Sequence, residues 1–74
     1  MNDRRTSNDT EMAYAARYPG TVGYGAVMVD TPDLAKETAK FVAKAIRDGA
    51  AVERVSVEAA REGIAAYLKA KGVL

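Results

Sequence analysis

Apolar and polar positions are sorted most sharply between Asp30 and Gly49. Leu34, Thr38, Phe41, Val42, Ala45 and Ile46 fall on one arc at helical spacing, with Ala35 and Ala39 at its edge. Asp33, Lys36, Glu37, Lys40, Lys44, Arg47 and Asp48 fall on the opposite arc. The pattern predicts an amphipathic helix. Thr31 is placed to cap its start through the side-chain hydroxyl. Pro32 suits the first helical position, where its missing N–H costs nothing. Asp33 and Arg47 complement the helix dipole at the two ends. Gly49 is a natural left-handed terminator. Such a helix needs an apolar surface to cover, and its neighbours must supply one.

Before it, residues 11–18 and 22–29 read as two strands of a hairpin, separated by a Pro19-Gly20 turn. With a two-residue loop, Arg17 faces Val22, Ala15 faces Tyr24, Tyr14 faces Gly25 and Met12 faces Val27. One face then carries Met12, Tyr14, Ala16, Tyr18, Val27 and Val29. The other carries Ala13, Ala15, Val22, Tyr24, Ala26 and Met28. A one-residue bulge would scramble this assignment. Tyr14 opposite Gly25 would cover bare glycine backbone with a ring. Neither face is clearly polar, and one helix covers only one of them. Two outcomes follow: the second face stays open as an interaction surface, or the C-terminal segment folds over it.

After the helix, Ala50 to Glu58 carries Val52, Val55 and Val57 and reads as a third strand through about Val57. A helix follows from about Ala59 to Lys71 and ends at Gly72. The alternative starts that helix at Ser56, with serine as its cap. Gly63 weakens the helix by roughly 1 kcal/mol relative to alanine, or breaks it. The expected fold is α+β: a small ββαβ unit (hairpin, central amphipathic helix, third strand) with a C-terminal helix. Residues 1–10 read as a polar, disordered tail and residues 11–74 as one small domain.

Composition narrows the chemistry. The chain has neither cysteine nor histidine, so thiolate metal sites, disulfides and the commonest general base are excluded. Eleven Lys and Arg against ten Asp and Glu argue against a dedicated nucleic-acid binder. No apolar run reaches membrane-spanning length, and no apolar segment follows Arg4 and Arg5 as a secretory leader would require. The expectation is a cytoplasmic chain. A core this small supplies only about 3–5 kcal/mol, which makes association with itself or another protein a source of stability.

Gly20, Gly23 and Gly25 lack the strand–glycines–helix order of a dinucleotide site and read as sterically required glycines. Glu53, Arg54, Glu58, Arg61 and Glu62 read as surface ion pairs. No catalytic residue, metal ligand or cofactor is expected. Tyr14, Tyr18, Val22, Tyr24 and Met28 are the expected protein-binding residues, since tyrosines anchor interfaces. Lys36, Lys40, Lys44 and Arg47 form a basic ridge, the alternative site for a nucleic-acid-associated regulator.

The runs AYAAR, GAVMVDTPDLAKETAKFVAKAIRDG and VERVSVE resemble a group of small uncharacterised proteins of phages and actinobacteria. The resemblance covers about residues 13–61 and its motifs are structural, so it implies ββαβ and transfers no functional residue. Members of that group often carry Cys-Gly-Cys where this chain has Pro19-Gly20-Thr21. The likeness implies a further expectation: a phage-encoded stoichiometric inhibitor of host defence, of the anti-CRISPR kind, acting in the host cytoplasm on a host protein or complex. A homodimer, expected from the small core, is a second mode of association.

Overall fold

The computed structural model describes residues 11–73; the expected N-terminal tail lies outside them. Strand β1 is Met12–Arg17, β2 is Ala26–Val29 and β3 is Ala51–Ser56. A single 3-10 turn at Pro32–Leu34 leads into helix α1, Ala35–Arg47, and β3 leads directly into α2, Val57–Ala70. The sheet order is β2-β1-β3, with both neighbours antiparallel to β1. The α+β architecture is therefore as the sequence predicts, hairpin, central helix, third strand and C-terminal helix included.

The hairpin register differs from the expected one. Ala13 pairs with Val29, Tyr14 with Met28, Ala15 with Val27 and Ala16 with Ala26. The Pro19-Gly20 turn does form. Tyr18 C=O accepts from the Thr21 N–H at 3.2 Å and the Thr21 hydroxyl at 2.8 Å, and Gly20 has φ +76°. The chain does not resume a strand there; Thr21 to Tyr24 swing out, and Gly25 returns to β1 with its N–H on Ala16 O at 2.9 Å before β2 begins. The offset is odd, so it turns β2 over relative to β1. Val27 and Val29 share a face with Ala13 and Ala15, while Ala26 and Met28 share one with Tyr14 and Ala16. Tyr14 is opposite Met28, not Gly25; Tyr18 and Tyr67 are the rings beside Gly25.

Central strand β1 is built for close approach. Ala13 and Ala15 on one face and Ala16 on the other have no exposed surface. The two helices take opposite faces. Tyr14 shares a groove with α1, whereas Tyr24 lies on Gly63 of α2 and reaches Glu53, the β3 residue opposite Ala15. The sheet is thus covered on both sides, the second of the two outcomes open from sequence. The C-terminal segment closes the face that would otherwise have stayed free.

The ends of the helices follow local chemistry, with one exception. Ser56 Oγ accepts from the Ala59 N–H at 3.1 Å, so α2 starts where the serine-capped alternative places it. A cap of this kind contributes about 1 kcal/mol. Gly63 does not interrupt α2. Thr31 makes no side-chain cap, contrary to expectation. Its carbonyl takes the Leu34 N–H at 3.1 Å, a donor the hydroxyl would have met, and Pro32 O takes the Ala35 N–H, so backbone bonds of the 3-10 turn satisfy this end of the helix. At the far end Gly49, with φ +94°, closes a Schellman motif: Gly49 N–H to Ile46 O at 3.0 Å and Ala50 N–H to Ala45 O at 2.9 Å.

Candidate functional site

Two surfaces arise from the way the helices seat. The first is a sealed junction. Residues 23–25 pass so close to α2 that the Tyr24 N–H donates to Gly63 C=O at 3.0 Å. The Tyr24 ring occupies the space a side chain at Gly63 would take, and only 8% of the residue remains exposed. Its hydroxyl donates to Glu53 Oε1 at 3.4 Å, while Arg17 stacks its guanidinium 5.0 Å from the ring centre and donates to Glu53 Oε2 at 3.1 Å. Arg17 and Glu53 are half exposed, so this pair contributes on the order of 0.2–1 kcal/mol and its main effect is to orient the ring.

The second surface is open. Helix α1 turns only part of its apolar arc onto the sheet. Thr38 and Ala45 are buried and Phe41 and Val42 half-buried, but Ile46 is 59% exposed and Leu34 39%. Beside that flank runs a groove of about 620 Å³, lined by Ala35, Thr38, Ala39, Val42, Ala43 and Ile46 from α1 and by Tyr14 and Asp30 from the sheet side. Asp30 is tied to Arg54 by a 3.0 Å bond from Nε, which spares the groove an unpaired carboxylate. The Thr38 hydroxyl is buried and bonds no other group among the described residues. A narrow hollow of about 190 Å³ on the other face is lined by Gly20, Thr21, Val22, Tyr67, Ala70 and Lys71.

The five expected protein-binding residues do not form one patch. Tyr14 lines the α1 groove; Met28 is half-buried beside it on the same sheet face. Tyr24 is enclosed by α2, and Tyr18 is half-buried against Gly25. Val22, 60% exposed, belongs to the opposite face. The sequence reading did not single out the exposed flank of α1, where Ala35, Ala39, Val42, Ala43 and Ile46 line the groove and Leu34 is 39% exposed. The sequence marks most of these positions as apolar, but their exposure depends on how much sheet there is to cover them. The ridge of Lys36, Lys40, Lys44 and Arg47 is exposed as expected, with Lys44 paired to Asp48 at 3.0 Å.

Among the described residues no three acidic side chains gather as a metal site would require, and no helix is long and apolar enough to cross a membrane. The likeness to small phage and actinobacterial proteins receives no support and no contradiction from known proteins. No family model, no curated protein and no solved structure matches the chain.

Proposed function

We propose that this chain is a non-enzymatic protein-binding module whose contact surface is the groove beside α1. The observation that carries this reading is the apolar flank that α1 leaves off the sheet, with Ile46 at its centre of exposure. The lining residues from Ala35 to Ile46 extend about 16 Å along the helix, the length of three turns. That span suits a partner helix presenting apolar anchors at i, i+3 or i+4, and i+7. A stoichiometric inhibitor of host defence is one instance of this mode of action, resting on the resemblance alone.

A second reading uses the basic ridge on nucleic acid, favoured by the exposure of all four cations on one helix. One experiment separates the two. Partner capture from lysate is compared between the wild-type chain, Ile46→Asp, and the pair Lys40→Glu with Lys44→Glu. Ile46→Asp should weaken capture of a specific protein at least tenfold, about 1.4 kcal/mol, because it puts a charge into a desolvated contact. The lysine pair should leave capture unchanged. Undiminished capture by Ile46→Asp sinks the groove as the contact surface. Salt-dependent DNA binding abolished by the lysine pair would move the function to the ridge.

A further inference from the structure

We propose that strand β2 is a homodimer edge, pairing antiparallel with β2 of a second copy about a two-fold axis at Met28 to form one six-stranded sheet. This goes beyond the groove reading and uses a different surface. The hydrogen-bond parity of the sheet carries it. Asp30 N–H donates to Met12 O at 2.9 Å, so in β2 the even positions Met28 and Ala26 also turn their backbone groups toward β1. Val27 and Val29 therefore turn theirs outward, and among the described residues neither donates to nor accepts from anything across that edge. They present two N–H and two C=O groups. A two-fold axis at Met28 sets Val27 opposite Val29 of the other copy, and Val29 opposite Val27. Four hydrogen bonds then satisfy every outward group.

The two edges of the sheet differ in charge. On β3 the outward positions are Val52, Arg54 and Ser56, by the same parity from the Val57 N–H to Glu11 O bond. A two-fold axis perpendicular to the sheet must pair residues of the same face. On β3 the fully overlapping registers then put Glu53 against Glu53 or Arg54 against Arg54, which opposes self-pairing. Strand β2 is AVMV, with no charge and no proline to blunt it. The formal net charge of +1 sets up little repulsion between copies. The occupant is thus a second copy: the edge is complementary to itself and the molecule is short of core. No large side chain is fully buried among the described residues, and the enclosed centre is mostly alanine. A four-residue ladder is a small interface, so the dimer is a weak one that forms with rising concentration.

Amide hydrogen exchange and sedimentation of the full chain over a concentration series test this. As protein rises toward millimolar, mass should approach twice the monomer's, and the Val27 and Val29 amides should gain protection while Met28 and Asp30 stay as they were. Val27→Pro removes only an outward N–H, and symmetry removes it twice, so it should raise the dissociation constant at least about tenfold. Val52→Pro on the other edge should leave it unchanged. If Val27→Pro does not fold by circular dichroism, Met28→Lys decides, because it opposes two ammonium groups at the axis and should give a monomer. A wild-type chain that remains monomeric at millimolar concentration overturns the proposal. So does a dimer that survives in folded Val27→Pro or in Met28→Lys, or one in which the Val27 and Val29 amides stay unprotected.

Discussion

Gly23→Ala should leave most of the population unfolded at room temperature. Gly23 holds φ +76°, a left-handed conformation that costs an L-residue roughly 1 kcal/mol. A Cβ there would also stand 2.9 Å from the Tyr67 amide nitrogen and closer still to the Gly63 carbonyl. Both are backbone atoms of α2, so no rotamer change relieves the overlap. Either α2 lifts from the sheet or the loop abandons its bond to Gly63. The combined loss, about 3 kcal/mol or more, matches the whole stability expected of a core this size. Urea denaturation followed by circular dichroism measures it. Gly20→Ala is the control: Gly20 shares the positive φ but meets no neighbour within 4 Å, so it should lose only the conformational part. Equal losses at the two glycines would show that the close approach to α2 does not matter.

Gly63→Ala should destabilise the chain although it improves the helix. Alanine at a helical interior position gains about 1 kcal/mol over glycine. Here the new Cβ would enter the Tyr24 ring, 2.9 Å from Cγ and nearer to the ring edge. Overpacking of this kind costs typically 1–3 kcal/mol, so the two effects oppose and the contact wins. Tyr24→Ala alone should lose about 3–5 kcal/mol, as truncation of a buried aromatic does. A double-mutant cycle, run in sucrose to keep every variant measurable, isolates the pair. In the Tyr24→Ala background Gly63→Ala should turn neutral or stabilising. A stabilising Gly63→Ala in the wild-type background would contradict the packing of the ring on the helix.

These two positions also show where a sequence stops being legible. Helix α1 was readable because its information is local: a 3.6 period, Pro32 at the entry and Gly49 at the exit. The fate of the Thr31 hydroxyl was not, since a 3-10 turn serves one of the same donors and the two geometries share one sequence signature. The Pro19-Gly20 turn was identified as a turn but mistaken for the whole connection. Nothing local marks Tyr24 as leaving the strand; the reason is Gly63, thirty-nine residues on, whose bare surface receives the ring. The three-residue offset in pairing is the downstream result. The C-terminal helix could be seen at Ser56, but choosing it over a longer strand depended on which ladder β1 left available. The open flank of α1 was hidden for a simple reason: periodicity says which residues are apolar, not how much sheet exists to cover them.

Ala13, Ala15 and Ala16 impose a further property on the molecule. With methyl groups at its middle, the assembly gains its cohesion from short distances between backbones, not from a large volume of hydrocarbon. Unfolding such a structure hydrates little apolar surface per residue, so its heat-capacity increment is small and its stability curve flat. The melting of this protein should accordingly be gradual in a calorimetric scan, and cooling should weaken it less than it weakens a protein with a leucine-rich interior.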